Sequence, residues 1–276
     1  MRILSLHGGH SSYGDGAGRL EEFARAALDR DMVVFGFSEH MPRPEKYWYP
    51  GERPERNSFQ NFRNYLEEAR AVQAQFRGKM EILVGAELEL IPGLENFLND
   101  FSHRFELDYA VGSVHFVKEL GFDYSSDSYH QAVEGSGSIE QFCLDYLDTM
   151  ASVIGCARFQ VLGHFDLFKV FRPQPVPFTE SILEKIERLM EQIAACNLLL
   201  DINARGLIKP CRDIYPTAEI LRIARKNDVA VTLGDDSHAP KEVGKNLDLA
   251  VERAREAGYS QISFLHADGS RDCVEC

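Results

Sequence analysis

The apolar positions of this chain fall into short β-branched and aromatic runs separated by longer segments with apolar residues at helical spacing. Ile3 to Leu6, Val33 to Phe37, Ile82 to Ala86, Tyr109 to Val114, Gln160 to Gly163 and Ala230 to Gly234 are runs of the first kind. The alternation predicts strands over 2–7, 32–38, 81–89, 108–115, 159–164, 198–203, 229–234 and 261–265. Helices are predicted over 18–30, 58–77, a short stretch near 93–102, 138–154, 179–196, 216–227 and 240–257. Ser138 with Gln141, and Ser181 with Glu184, carry the capping-box pattern and set two of the helix starts. Eight strand candidates alternating with seven helices imply a parallel sheet with right-handed crossovers, closed into a β/α barrel or a distorted form of one. An open doubly wound sheet fits less well. Its ligand sites gather where strand order reverses, whereas the polar strand ends here are spread along the whole chain. No repeat, low-complexity tract or Ser/Gly linker interrupts the alternation, so residues 1–276 read as a single α/β domain.

The residues that end the runs carry the chemistry. Six of the nine histidines, His7, His10, His40, His115, His164 and His238, sit at or just after such runs, and Glu87 and Asp236 occupy two more positions of that kind. In a β/α barrel the C-terminal ends of all strands open onto one face, so these residues should meet there. A lone buried histidine is most often a core residue with a hydrogen-bond partner, but six at equivalent positions point to a metal site. Imidazole and carboxylate donors suit zinc, manganese or iron, and no set of cysteines competes. With Asp15 as a further carboxylate, the donors exceed what one four-coordinate ion uses, so two or three divalent ions sharing a bridging carboxylate are expected. Such clusters generate a nucleophile from water and neutralise charge on phosphoryl oxygens, which makes hydrolysis of a phosphate ester the expected reaction. His103 and His130 read as solvent or capping residues; His266, which also ends a strand candidate, is an outside candidate for the site.

Two connections are longer than a barrel needs. Residues 41–57 carry four prolines with Tyr47, Trp48 and Tyr49, and residues 117–137 carry Phe122, Tyr124 and Tyr129. Both leave C-terminal strand ends and should overhang the site as loops. The formal charge of −13 leaves no basic stripe for a nucleic-acid backbone, so a small phosphate ester is the expected partner. No apolar stretch approaches the roughly 18 residues of a membrane span. The first residues lack a signal-peptide pattern, which makes the cytoplasm the expected compartment. Six scattered cysteines read as reduced thiols, and Cys273-x-x-Cys276 has neither a second pair nor a βαβ context. No feature sets an oligomeric state.

The segments His7-Gly-Gly-His10-Ser, Phe37-Ser-Glu-His40, Gly85-Ala-Glu87, Gly112-Ser-Val-His115-Phe, Leu162-Gly-His164-Phe-Asp166 and Asp235-Asp236-Ser-His238 share an order and spacing. Over residues 1–238 that pattern resembles the polymerase-and-histidinol-phosphatase (PHP) superfamily. Asn203-Ala-Arg-Gly-Leu-Ile-Lys209-Pro, followed by Tyr215-Pro216, resembles segments of its histidinol-phosphate phosphatases. The resemblance implies a distorted TIM-like (β/α)7 barrel with a trinuclear metal site at the C-terminal strand ends. His7, a second early histidine, Glu87 and Asp236 would hold one ion. Glu87 would bridge to a second completed by His115 and His164, and His40, His238 and a residue near Asp15 would take a third. It further implies hydrolysis of histidinol phosphate in histidine biosynthesis by direct attack of a metal-bridging hydroxide, with a nucleotide, an oligonucleotide end or a phosphotyrosyl peptide as the alternative substrate.

The chain departs from the family pattern in two places. The family's first motif is His-x-His, whereas here Gly9 takes the second histidine's place and His10 follows; a bulge at Gly8 and Gly9 would let His10 ligate, because glycine tolerates the backbone angles required. Asp15 stands where the family tends to have a histidine, so either it supplies oxygen instead or the third site is weak or empty. Asp166 joins Glu87, Asp236 and His238 as a catalytic candidate, facing either substrate or, as the favoured role, a ligating imidazole that it orients as acceptor. Arg205 and Lys209 after the sixth strand, with Arg158 and Lys169 flanking the fifth, are the candidates for binding phosphate; the family's arginine position is Ile208 here. Glu39, Glu89, Tyr47 and Trp48 are candidates for the cationic end of the substrate.

Overall fold

The computed structural model describes residues 3–91, 93–154 and 159–276, so Arg158, Cys156 and the side chain of His103 lie outside the described residues. The first half of the chain forms strands β1 (Ile3–Gly9), β2 (Met32–His40), β3 (Glu81–Glu89) and β4 (Tyr109–Ser113), then a short hairpin of β5 (Phe116–Val117) and β6 (Leu120–Gly121). The second half forms β7 (Val161–Leu162), β8 (Leu199–Asn203), β9 (Ala230–Gly234), β10 (Gln261–Leu265) and β11 (Arg271–Glu275). Interspersed are helices α1 (Leu20–Leu28), α2 (Phe59–Phe76), α3 (Glu95–Arg104), α4 (Ser126–Ser136), α5 (Ile139–Ile154), α6 (Glu180–Ala195), α7 (Ala218–Lys226) and α8 (Leu247–Glu256). Seven parallel strands close a barrel in the order β1-β2-β3-β4-β7-β8-β9, and His7 of β1 pairs with Gly234 of β9 to seal it. β7 contributes only two residues and is the shortest strand of the ring.

Helix α2 shows why the sequence builds this architecture. The Ser58 hydroxyl accepts from the Asn61 N–H at 3.1 Å and caps it, while Phe62, Tyr65, Ala69, Val72 and Phe76 bury one face at helical spacing. Each large side chain so buried contributes about 1.5–3 kcal/mol. The Tyr65 hydroxyl donates to the Gly85 carbonyl at 2.7 Å and fixes the helix against β3.

The structure corrects four expectations. The eighth strand candidate, 261–265, forms β10 but pairs antiparallel with β11 outside the barrel. The β1–β9 pairing leaves the ring without an edge to join. Residues 117–137 form not an open loop but the β5–β6 hairpin and α4, whose start is capped by Ser125 and Ser128 and whose end is the left-handed Gly137. Ser138 does accept from the Gln141 N–H at 3.0 Å, but Thr179 is the N-cap of α6, so Ser181 lies inside that helix rather than capping it. The predicted helix 240–257 is divided into a 3-10 turn at Pro240–Glu242 and α8, separated by the left-handed Gly244 and Asn246. Among the described residues no helix is long and apolar enough to cross a membrane.

Candidate metal centre

The barrel mouth begins with an irregularity in β1. Ser5 pairs with Phe35 and Gly9 with Phe37, so four steps along β1 match two along β2. This bulge lets both His7 and His10 face the centre. Its glycines are required by close approach rather than by unusual dihedrals. A Cβ on Gly8 would collide with the Gly36 carbonyl oxygen, and one on Gly9 would stand 2.8 Å from the Phe23 ring, while neither residue has a positive φ.

Glu87, near the end of β3, is buried at the middle of the donors. Its Oε1 lies 3.2 Å from His164 Nε2, 3.4 Å from His7 Nε2 and 3.6 Å from His115 Nε2. Its Oε2 lies 3.1 Å from His40 Nδ1 and 3.7 Å from His10 Nε2. The two oxygens thus face separate sets of imidazoles, as a bridging carboxylate requires. His115 and His164 present their Nε2 atoms to each other at 3.3 Å, and Asp236 Oδ1 stands 3.5 Å from His10 Nε2. At the rim, half-exposed Asp15 reaches His238 Nε2 at 3.3 Å and His40 Nε2 at 3.7 Å. Ligands about 2.0–2.2 Å from a tetrahedral ion are about 3.3–3.6 Å apart, which is the spacing seen here. Four donor groups each lie within 4.8 Å: His10 with Asp15, His40 and His238; His7 with His10 and Glu87; His7 with His164 and Asp236; and Glu87 with His115 and His164.

The hydrogen bonding of these buried rings fits a bound cation. His7 Nε2, both nitrogens of His10 and His164 Nδ1 have no hydrogen-bond partner. Leaving a buried polar atom unpaired costs about 1–3 kcal/mol, and concentrating several such atoms around carboxylates is understandable only if a cation completes them. The opposite ring nitrogens are held: His7 Nδ1 by Asp201 Oδ2 at 2.8 Å and His115 Nδ1 by Glu89 Oε2 at 2.9 Å. This carboxylate–histidine arrangement sets the tautomer that leaves Nε2 free to ligate.

The electrostatics follow from the same proximity. Burial alone would raise the Glu87 and Asp236 carboxyls, but the surrounding imidazoles, with Arg205 beside Asp236, hold both well below the usual carboxylate range. Burial would lower the His115 imidazole, yet Glu89, Asp123 and Glu87 push it up to about 10, so an ion bound there would displace the Nε2 proton. His10 goes the other way. Burial and the neighbouring His238 and His40 keep it neutral, the form that ligates. Asp236 is held at φ 47°, a left-handed conformation costing a non-glycine residue about 1–3 kcal/mol, and its N–H donates to the His7 carbonyl at 2.8 Å.

Several expected residues fall elsewhere. Asp166 does not reach a site imidazole among the described residues. It accepts from the Thr217 N–H at 2.9 Å and from Lys169 Nζ at 3.0 Å, tying the segment after β7 to the start of α7. The orienting acceptors are instead Asp201 and Glu89. Asp201 was legible as an acid inside the apolar run Leu199–Asn203, a position that tolerates a carboxylate only when it is hydrogen-bonded. Lys169 is buried against Asp213 at 2.7 Å and the Ile214 carbonyl at 2.8 Å and does not line the pocket. Arg205 and Lys209 do line it. The Arg205 guanidinium donates to the Asp236 carbonyl at 2.7 Å, and Lys209 forms no ion pair among the described residues. His266 pairs with Glu81 at 2.6 Å at the other end of the barrel.

A cavity of about 240 Å³ stands over the donors, lined also by Tyr49, Asp123, Tyr124 and Tyr215. None of Glu39, Glu89, Tyr47 and Trp48 lines it. Glu39 binds Ser11, Glu89 backs His115, Tyr47 packs with Ile91 and Phe116, and Trp48 Nε1 donates to the Arg43 carbonyl. A larger cavity, about 740 Å³, opens beside Arg77, Lys79 and Met80 at the opposite end and contains none of the donors.

Parallel barrel and donor cluster together define a β/α barrel able to hold metal ions at its mouth. The PHP domain family matches residues 5–205, and the chain belongs to that family. A Deinococcus radiodurans protein named "Probable histidinol-phosphatase" is 32% identical, over 92% of this chain and 93% of that one. A Schizosaccharomyces pombe protein of the same name is 30% identical, over 94% and 88%. The solved histidinol phosphate phosphatase of Lactococcus lactis, complexed with zinc, L-histidinol and phosphate, shares the fold with a TM-score of 0.78 at 21% identity, covering 98% of this chain and 99% of that one.

Proposed function

We propose that this protein is a metal-dependent phosphatase that converts histidinol phosphate to histidinol and phosphate in histidine biosynthesis, in the cytoplasm, with residues 1–276 acting as one domain. The observation that carries the reading is Glu87, buried between two sets of imidazoles and presenting one oxygen to each. Similarity over nearly the whole chain to a bacterial and a yeast protein, each named "Probable histidinol-phosphatase", supports the substrate.

The donor groups suit two or three divalent ions. His7, His10, Glu87 and Asp236 would hold one, Glu87, His115 and His164 a second, and Asp15, His40 and His238 a third, with His10 placed between the first and the third. Zinc is the ion bound by the L. lactis relative, and manganese and iron suit the same donors. When bound, such ions supply a nucleophile at neutral pH and offset charge on the phosphoryl oxygens. The chain's own residues do the rest. Asp201 and Glu89 hold Nδ1 of His7 and His115 and so aim Nε2 at the donor cluster, Arg205 and Lys209 bind the phosphoryl dianion, and Asp236 ties Arg205 to the donor cluster.

The test is a comparison of kcat/KM for histidinol phosphate, a nucleotide, short single-stranded DNA and an aryl phosphate, before and after chelation. Histidinol phosphate should be the best substrate, with activity abolished by chelator and restored by zinc or manganese. Activity surviving exhaustive chelation would overturn the metal reading, and preference for the nucleotide would overturn the substrate.

A further inference from the structure

The carboxylates around the pocket are nearly all committed. Glu87, Asp236 and Asp15 face imidazoles, Glu89 faces His115 and Arg43, Glu52 pairs with Arg43, and Glu242 pairs with Arg205. Asp123 differs. It lines the pocket, belongs to none of the donor groups, and has no cation within ion-pair distance among the described residues. Its Oδ1 accepts from the Tyr49 hydroxyl at 2.7 Å. Tyr49 is itself fixed: its ring stacks on Phe116 at 5.5 Å with an interplanar angle of 7°, and the buried Arg43 guanidinium lies 4.5 Å from its centroid. A neutral, rigid donor thus holds one oxygen of a carboxylate that acts on His115 only from beyond ion-pair distance and belongs to none of the donor groups. Next in the chain, Tyr124 is 44% exposed at the rim, its ring 4.9 Å from that of Tyr49. A fixed carboxylate beside an open aromatic ring is a receptor for a cation.

Resting on the function proposed above, we propose that Asp123, braced by Tyr49 and flanked by Tyr124, receives the primary ammonium of the substrate and selects amino-alkyl phosphates over phosphate esters without an amine. The pocket then carries a cationic wall, Arg205 and Lys209 from the segment after β8, for the phosphate, and an anionic corner from the two overhangs for the organic half. The first overhang supplies the brace and the second the charge, so the corner exists only when both are in place.

Four phosphates separate the possibilities: histidinol phosphate, its deamino analogue 3-(imidazol-4-yl)propyl phosphate, phenylalaninol phosphate, which keeps the amine and lacks the imidazole, and an aryl phosphate. Wild-type enzyme should favour histidinol phosphate over the deamino analogue. In Asp123→Asn that preference should fall by about 10- to 100-fold, the worth of one charge-assisted hydrogen bond, mostly through KM. Phenylalaninol phosphate should lose the same factor. Tyr49→Phe, which keeps the ring and releases the carboxylate, should give a smaller loss of the same kind. Equal losses on amine and deamino substrates, or a loss confined to imidazole-bearing ones, would overturn the assignment. If wild-type enzyme cleaves the aryl phosphate but not histidinol phosphate, the proposed function fails and the ammonium subsite is read separately. Inhibition of aryl phosphate cleavage by phenylalaninol that disappears in Asp123→Asn upholds it, and absence of inhibition overturns it.

Discussion

The two ends of the barrel handle buried charge in opposite ways. Where the strands begin, Asp108 accepts from Arg70 at 2.7 and 2.8 Å, from Gln73 at 2.8 Å and from the Val84 N–H at 2.8 Å, and Glu81 takes both His266 and the Ala267 N–H. Both oxygens of each of these two carboxylates are occupied. Where the strands end, a larger number of polar groups is buried more deeply, yet nitrogens of His7, His10 and His164 have no partner. A saturated network closes a structure; an unsaturated one, built at the cost of desolvating several ionisable groups, waits for a ligand. The contrast separates structural from functional polarity more sharply than residue type does, because histidine and carboxylate stand at both ends.

Substitutions at the mouth should therefore affect metal content and turnover, and those at the base should affect stability. The largest effect is expected for Glu87→Gln, which removes the carboxylate facing both sets of imidazoles: kcat/KM should fall by well over about 100-fold, since even outer partners of ligands are worth 10–100-fold. Elemental analysis should show a lowered metal stoichiometry, and retained stoichiometry with full activity would erase the distinction drawn here. Asp201→Asn removes the negative charge that orients His7 and should cost about 10- to 100-fold in metal affinity or activity, read by titration of the chelated protein with zinc. Asp108→Asn belongs to the base. It should lower stability by about 2 kcal/mol in urea unfolding of the metal-loaded protein, with kcat/KM unchanged.

The smallest effect concerns Asp213, which fastens Lys169 and Arg253 outside the pocket. Burial would raise this carboxyl, but the two cations hold it below its ordinary value of 3.8. A folded value below the unfolded one means that the stabilisation is fully present above pH 3.8 and is lost as pH falls through the lower, folded value. Asp213→Asn should accordingly be less stable than wild type by about 1 kcal/mol near neutrality, a figure kept small by partial solvent screening, and the two unfolding curves should converge in acid. A gap that persists undiminished in acid would show that the loss is one of packing.

Much of this was readable from the chain. Each barrel strand except β7 spans more than a two-residue bridge, and each except β8, Leu199–Asn203, overlaps one of the six runs, while the donors His7, Glu87, His115, His164 and Asp236 mark where runs end. Helix α4 escaped because its polar residues and flanking glycines resemble a loop, although Ser125, Ser128, Tyr129 and Ala132 carried a cap and a buried stripe. The base of the barrel escaped because Asp108 and Arg70 lie 38 residues apart with no motif to link them. Lys169 and Asp166 were misplaced for a related reason. Position after a strand says that a side chain is near the mouth, but the next turn decides whether it points into the pocket or, as here, toward Asp213 and Thr217.

The order of apolar runs and of the polar residues ending them determined, without coordinates, that a parallel barrel would gather imidazoles and carboxylates at one mouth, because strand periodicity and crossover handedness are local properties. Only the tertiary structure decided that β1 closes on β9 and excludes β10, that Asp201 and Glu89 rather than Asp166 hold the histidines, and that Asp123 stands uncommitted beside Tyr49. Those outcomes depend on which groups come within about 3 Å of one another across the fold, a distance at which hydrogen bonds form and which spacing along a chain does not encode.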